Sequence, residues 1–130
     1  MDLNSCPDLL PVLCVIAACA EGVTVLKNVP QARLKETDRI AVMAEELTKM
    51  NITVKEFADG IAITGGTLCP AHVNSHGDHR IAMSLAIAGM VASTHNKSDN
   101  TVLESAEAIN VTYPSFIRDF QNAGAKFSLN

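Results

Sequence analysis

Hydrophobic and polar positions along the first half of the chain predict helices and short strands in alternation. Residues 6–22, CPDLLPVLCVIAACAEG, are apolar on every side and end at a glycine, a pattern typical of a buried helix that begins near Asp8. VTVLKN at 23–28 predicts a strand rich in β-branched residues. Residues 52–57 and 61–64 predict two strands joined by a hairpin at Asp59 and Gly60. Between them, residues 37–50 predict an amphipathic helix whose apolar face consists of Ile40, Met43, Ala44, Leu47 and Met50.

The same order of elements returns about 70 residues further along. GDHRIAMSLAIAGMVA at 77–92 is again apolar all round, NTVLES at 100–105 is again a short strand, and YPSFIRDFQNAG is again an amphipathic helix, followed by a predicted strand, AKFSL, at 125–129. Such self-similarity predicts one supersecondary unit used twice. We therefore expect an α/β (α+β) chain of two βαβαββ-type units, at about residues 1–65 and 66–130, with the first unit lacking its opening strand. A missing strand suggests a piece of a larger protein with an open sheet edge.

Composition narrows the class of protein. The chain has 130 residues, a length that favours one domain. Of these residues 48% are hydrophobic and 18% are charged, and the net charge of −4 gives little support to nucleic-acid or membrane-surface binding. The longest apolar run is too short to cross a bilayer. None of the four cysteines forms a CxxC pair, so we interpret them as reduced, mostly buried thiols and expect a cytoplasmic protein.

Charge of both signs collects in ARLKETDRI, residues 32–40, where five of nine residues are charged: Arg33, Lys35, Glu36, Asp38 and Arg39. The segment directly precedes a predicted helix, and unpaired N–H groups together with the helix dipole make a helix start favourable for anions. Thr37 is the expected cap, with Asp38 in the first turn, which leaves Lys35, Glu36 and Arg39 without a capping role.

Two further helix starts carry similar residues. Asp78 is the expected cap of the second apolar helix, with His79 and Arg80 in its first turn, and Asp8 begins the first apolar helix. Asp8 and Glu36 are candidates for acid–base work, His79 is titratable, and Lys35, Arg39 and Arg80 are candidates for binding anionic groups. The ordinary alternative is that these residues are helix caps and solvated ion pairs.

A zinc site is a weaker alternative. His72, His76 and His79 lie at metal-ligand spacing, but no cysteine has matching spacing and His79 adjoins Arg80. We therefore expect no metal and no cofactor.

The motifs RLKETDRI and GDHRIAM, with PD upstream, resemble those of the 5-enolpyruvylshikimate-3-phosphate synthase (3-phosphoshikimate 1-carboxyvinyltransferase) family. The resemblance covers essentially the whole chain but only the C-terminal portion of a family member. It implies an enolpyruvyl transferase domain that is inverse α/β barrel-like, with helices buried between short sheets. The N-termini of its two apolar helices would face an interdomain cleft.

The resemblance also implies a reaction and a set of roles. Family members transfer the enolpyruvyl group of phosphoenolpyruvate to the 5-hydroxyl of shikimate 3-phosphate and release phosphate, a step of the shikimate pathway of aromatic amino acid biosynthesis. By motif, Asp8 would be the base, Lys35 and Glu36 would share the proton transfers, and His79 would assist them. Arg39 and Arg80 would hold phosphoenolpyruvate, and Gln31 would contact the shikimate ring. Val111 departs from the family, because many members carry a lysine there.

The expected partners are therefore the two substrates and the missing N-terminal portion of the synthase, without which the chain would be inactive. A stand-alone anion-binding or regulatory module, derived from the synthase fold, is the alternative function. Self-association through an open sheet edge is also compatible with the sequence. Under the synthase interpretation, Lys35→Ala and Arg39→Ala should lower activity far more than stability.

Overall fold

The computed structural model describes residues 1–129, in which four helices and five strands alternate. The helices are α1 (Leu10–Cys19), α2 (Arg39–Lys49), α3 (His79–His95) and α4 (Phe116–Asn122). The strands are β1 (Val23–Leu26), β2 (Thr53–Phe57), β3 (Gly60–Thr64), β4 (His72–Asn74) and β5 (Val102–Glu104). Short 3₁₀ turns precede α1, α2 and α4, at Pro7–Leu9, Pro30–Leu34 and Ala106–Val111. The predicted mixed α/β architecture is confirmed.

The strands form two small sheets. β1, β3 and β2 lie side by side in that order, and both pairs are antiparallel. The hairpin between β2 and β3 turns at Ala58 and Asp59, one residue earlier than predicted, and Gly60 pairs with Phe57 as the first residue of β3. Gly60 is required there because a β-carbon would overlap the carbonyl oxygen of Leu26 in β1. β4 and β5 form a parallel pair, with His72 opposite Val102. α3 connects these two strands, as a parallel pair requires a crossover.

A single bridge stands where the opening strand of the first half would lie. Asp2 pairs in parallel with Lys27, just beyond β1. The Leu3 N–H donates to the Lys27 carbonyl at 3.0 Å, and the Lys27 N–H donates to the Met1 carbonyl at 2.9 Å. The chain start therefore lies parallel to the end of β1, as β4 lies parallel to β5.

The core is formed by the apolar faces of the helices against the first sheet. The predicted face of α2 is confirmed, since Ile40, Met43, Leu47 and Met50 are each 0% exposed. Burial of each such side chain contributes about 1.5–3 kcal/mol relative to exposure. α1 packs against both α2 and α3, so the three helices share one core. None of the described helices combines the length and the apolar character needed to span a bilayer.

Two local predictions were wrong. α1 starts at Leu10, after a 3₁₀ turn that contains Asp8, and it leaves Ile16 58% exposed, so its outer face is not buried. Residues 125–129 contain no strand, because no described strand lies beside them to complete a ladder. Instead Phe127 packs near the ring of Phe116, with centroids 6.5 Å apart.

The cysteines are less buried than expected. Cys14 is fully buried in α1, and this burial raises the pKa of its thiol. Cys19 is exposed, while Cys6 and Cys69 are half-buried. The description "mostly buried" therefore fits Cys14 alone.

Candidate functional site

Arg39, the first residue of α2, is the centre of a charged cluster, although its side chain is only 1% exposed. Its Nε and Nη2 atoms donate to the two oxygens of Asp78, at 2.8 and 3.2 Å. Its Nη1 donates to Asp8 Oδ1 at 3.0 Å, and Nη2 also donates to Glu36 Oε2 at 2.6 Å. A planar guanidinium suits such multiple contacts. One arginine thus joins the segments that carry the PD, KETDR and DHR motifs.

Asp78 links this arginine to α3. It is 0% exposed and caps the helix, accepting the N–H groups of Arg80 at 3.0 Å and Ile81 at 3.4 Å, as predicted. Burial raises the pKa of Asp78, but the hydrogen bonds from Arg39, Thr37 and the Ile81 N–H, together with the charge of Arg39, lower that pKa by more. The net pKa is below its usual range, so Asp78 is ionised and neutralises the buried guanidinium.

Thr37 has a different role from the predicted one. α2 is capped by Asp38, whose carboxylate accepts the Ala41 N–H at 3.0 Å. The Thr37 hydroxyl instead donates to Asp78 Oδ2 at 3.0 Å. Aspartate and threonine are both good caps. Here Thr37 is engaged with Asp78, so Asp38 serves as the cap. Thr37 therefore adds a second tie between the KETDR segment and α3.

Asp8 forms the outer, solvent-facing part of the cluster. It makes no capping hydrogen bond, contrary to its predicted place at a helix start. Its Oδ1 lies 3.3 Å from Lys35 Nζ, and its Oδ2 lies 3.8 Å from Arg80 Nη2. Burial raises the pKa of Asp8, but the hydrogen bond from Lys35 and the charges of Lys35, Arg80 and Arg39 lower that pKa by more. Asp8 is therefore a weak base while these cations remain beside it.

The cluster is balanced in charge and graded in exposure. Its cations are Lys35, Arg39 and Arg80, and its carboxylates are Asp8, Glu36 and Asp78. The Lys35 and Arg80 side chains are 31% and 41% exposed, so an anion from solvent would meet them before Arg39. An anion can bind these cations by replacing a carboxylate partner, because Asp8 and Glu36 are about half exposed.

An apolar groove of about 270 Å³ adjoins the cluster. Asp8 and Arg80 lie on its lining, and most of the remainder is apolar, with Ile87, Phe116 and Phe120 among the lining residues. Apolar walls lower the local dielectric, which strengthens charge interactions beside them. The groove therefore gives the exposed cations of the cluster an environment suited to binding a small anion.

Two predicted site residues form no hydrogen bond or ion pair with this cluster within residues 1–129. The Gln31 side chain donates to the Asn4 carbonyl at 2.8 Å. His79 is the first residue of α3 and is 8% exposed, and its ring has no hydrogen bond or ion pair with any residue in 1–129. Val111, at the family's lysine position, ends a 3₁₀ turn and is 72% exposed. The structure thus brings together five of the seven predicted residues: Asp8, Lys35, Glu36, Arg39 and Arg80.

Two of the three histidines considered for zinc have separate carboxylate partners. His72 Nε2 lies 2.6 Å from Glu104, and His76 Nε2 lies 3.2 Å from Glu46. Among residues 1–129, the one close group of three potential ligands is Glu45, Glu46 and His76. Lys49 Nζ already lies 2.9 Å from Glu46, so the charged ammonium group occupies the position beside this carboxylate that a metal ion would take.

Sequence reasoning missed Glu46, which is 0% exposed. The signal was available, because Glu46 lies between Met43 and Leu47 on the apolar face of α2. Its carboxylate accepts the Asn74 N–H at 3.0 Å, besides its contacts with Lys49 and His76. A buried acid on an apolar helix face indicates a specific partner elsewhere in the chain.

The fold and the cluster define an α/β protein of the enolpyruvyl transferase class. The structure superposes on an EPSP synthase from Acinetobacter baumannii with a TM-score of 0.83 and 36% identity, covering 91% of this chain and 27% of that one. The family model of EPSP synthase (3-phosphoshikimate 1-carboxyvinyltransferase) matches residues 1–120. The chain therefore belongs to the EPSP synthase family.

Curated relatives agree with this assignment. A 3-phosphoshikimate 1-carboxyvinyltransferase of Ruminiclostridium cellulolyticum is 52% identical over 129 residues, which are 99% of this chain and 29% of that protein. The enzyme of the same name from Methanosarcina mazei is 47% identical over 125 residues, which are 96% of this chain and 28% of that protein. The chain thus spans less than a third of the length of these relatives.

Proposed function

We propose that this chain is the C-terminal part of an EPSP synthase, supplying one side of an active site that transfers the enolpyruvyl group of phosphoenolpyruvate to shikimate 3-phosphate. The observation that carries the proposal is the Arg39-centred cluster, in which the PD, KETDR and DHR segments meet. Membership of the EPSP synthase family supports the choice of reaction. The whole chain would be a partial C-terminal domain, with repeat units at about residues 1–65 and 66–130.

The chemistry of the proposed reaction suits the exposed part of the cluster. Both substrates are anions, and Lys35 and Arg80 are the accessible cations. Arg39 contacts substrate once Asp8 or Glu36 yields its place on the guanidinium. An anion that draws Lys35 and Arg80 away from Asp8 also removes groups that lower the pKa of Asp8. Substrate binding would thereby make Asp8 a stronger base for the 5-hydroxyl.

The remaining roles follow the family motif. Glu36, half exposed beside Arg39, would exchange a proton with the methylene carbon of the donor. His79 would assist at that carbon, and Gln31 would contact the shikimate ring. These two roles require movement or a contribution from the missing portion, because neither side chain has a hydrogen bond or ion pair with the cluster within residues 1–129.

The chain alone would not turn over, since it carries only one side of the proposed site. Its main partner would be the missing N-terminal portion of the synthase. The outer edge of β2, which pairs with no strand among the described residues, is where a second copy could add. We propose a cytoplasmic location, consistent with the four free thiols of Cys6, Cys14, Cys19 and Cys69.

A complementation assay tests this function. The R. cellulolyticum relative without its matching 29% is fused to the N-terminus of this chain, and phosphate release is measured with both substrates. We expect turnover by the fusion, none by either part alone, and none by a fusion carrying Lys35→Met. A fusion that folds and binds phosphoenolpyruvate without turning over would favour the stand-alone anion-binding module instead.

A further inference from the structure

The loop that carries Lys35 and Glu36 is held by side chains rather than by its own backbone. Glu36 and Thr37 form no backbone-to-backbone hydrogen bond within residues 1–129. Leu34, at the start of the loop, is 86% exposed, so its side chain supplies little packing. The placement of Lys35 and Glu36 therefore depends on side chains: those in the loop that contact the charged cluster, and those that fix the two ends of the loop.

Arg33 fixes both ends at once. Its Nη1 donates to Asp38 Oδ2 at 2.8 Å, and Asp38 is the cap of α2. Its Nε and Nη2 donate to the carbonyls of Ala58 and Phe57, at 2.9 and 2.7 Å. These carbonyls belong to the turn between β2 and β3. One guanidinium thus closes loop 34–37 at its base and attaches it to the first sheet.

The contacts of Arg33 point away from the charged cluster. Its remaining partner is Glu56 on β2, with Nη2 and Oε1 2.8 Å apart. Within the described chain, Arg33 has no hydrogen bond or ion pair with Asp8, Lys35 or any other member of the cluster. Any effect of Arg33 on the proposed reaction must therefore pass through the loop.

We propose that Arg33 is a positioning residue, which sets the place of Lys35 and Glu36 by closing the loop between itself and Asp38. This proposal rests on the proposed function, and it accounts for two charges of the 32–40 segment that substrate binding leaves unexplained. The guanidinium fork is essential, because a lysine ammonium cannot reach Asp38 and two hairpin carbonyls in the same geometry.

Steady-state kinetics of the fusion protein test the role. Arg33→Met and Arg33→Lys are compared with the parent, at a temperature well below the melting point of every variant. We expect both to lower kcat, Arg33→Met by about a hundredfold, since displacement of a reacting group by about 1 Å has that effect. Glu56→Gln is the matched control: it removes the charge of one Arg33 partner but leaves the loop closed, so kcat should stay within about twofold of the parent.

Two kinetic outcomes would overturn the proposal. Arg33→Met could lower the melting temperature while kcat stays unchanged, which would make Arg33 a purely structural residue. Alternatively, Arg33→Lys could restore kcat, which would mean that charge rather than the closed loop matters.

A second readout does not require activity. Protease Glu-C cleaves after Glu36 in the parent, in Arg33→Met and in Glu56→Gln, and the rate of cleavage in folded protein reports opening of the loop. We expect cleavage at Glu36 to be about tenfold faster in Arg33→Met than in the parent, because the open form of the loop becomes about tenfold more populated. Cleavage in Glu56→Gln should match the parent. Unchanged cleavage would overturn the positioning role even in an active enzyme. If the parent fusion has no turnover but Arg33→Met is still cleaved faster than the parent, Arg33 does close the loop and the proposed function is rejected.

Discussion

Replacement of Asp78 by asparagine tests whether the buried ion pair holds the cluster together. The carboxylate accepts hydrogen bonds from five donor groups: the Thr37 hydroxyl, two nitrogens of Arg39 and the backbone N–H groups of Arg80 and Ile81. Asparagine keeps the shape but has one acceptor oxygen and an NH₂ donor. In either orientation the NH₂ group faces donors, and Arg39 loses the charge that neutralises it.

The magnitude follows from the burial of both partners. Breaking a buried ion pair by removing one partner costs about 3–5 kcal/mol, because the other charge is left uncompensated. Asparagine caps a helix about as well as aspartate, so the change of cap adds little to this cost. Arg39 keeps Asp8 and Glu36 as partners, which places the expected cost of Asp78→Asn near 3 kcal/mol rather than 5. Asp38→Asn is the matched control, since Asp38 also caps a helix and pairs with an arginine, but its side chain is 39% exposed.

Urea unfolding followed by circular dichroism measures both variants. We expect Asp78→Asn to lower the free energy of unfolding by about 3 kcal/mol and Asp38→Asn by about 0–1 kcal/mol, with the same dependence on urea concentration. Equal losses in the two variants would refute the reasoning, because they would show that the buried charge of Asp78 contributes no more than an exposed one. A reduced urea dependence would indicate partial unfolding instead and would require a second probe.

Three further predictions follow from the same contacts. For Asp8 and Asp78, burial raises the pKa but neighbouring cations lower it by more, so stability is present above the unfolded pKa and is lost as pH falls below about 4; urea midpoints across pH check this. Glu46→Ala removes the partner of the half-buried Asn74 N–H and should cost about 1–3 kcal/mol by thermal unfolding, whereas Lys49→Ala should cost under about 1 kcal/mol because Lys49 is 39% exposed and Glu46 keeps the Asn74 N–H and His76 as partners. Arg39→Ala should lower stability by about 3–5 kcal/mol, while Lys35→Ala should cost about 0–1 kcal/mol and stop turnover of the fusion; equal stability losses would contradict this.

The secondary structure was largely predictable because periodicity reports which face of an element is apolar. α2 was found from positions 40, 43, 47 and 50, and the β2–β3 hairpin from its Asp-Gly pair. Periodicity does not report what covers an apolar face. α1 is apolar all round, yet Ile16 is 58% exposed because no described element packs over it. The same limit applies to 125–129, where a strand-like pattern has no neighbour to pair with.

Most members of the charged cluster could be predicted from the sequence, but the contacts between them could not. The motifs identified Asp8, Lys35, Glu36, Arg39 and Arg80, which do come together. The burial of Arg39 was missed because its main partner, Asp78, lies 39 residues away in the sequence. The sequence led us to expect that Arg39→Ala affects activity more than stability. We now expect a large loss of stability, since an arginine that is 1% exposed between carboxylates helps to hold the fold together.

Burial divides the carboxylates of the cluster into two kinds. Three cations close together require negative partners, and Asp78 is the one that cannot leave, because it is 0% exposed and holds α3 as well as Arg39. Asp8 and Glu36 are 46% and 51% exposed, so either can exchange its cation for water or for a substrate anion at little cost. Under the proposed function, these two carboxylates are therefore the ones available for proton transfer. The charged residues of 32–40 thus have two roles. Arg33, Asp38 and Arg39 hold the structure together, whereas Lys35 and Glu36 can exchange their partners and are available for the proposed reaction.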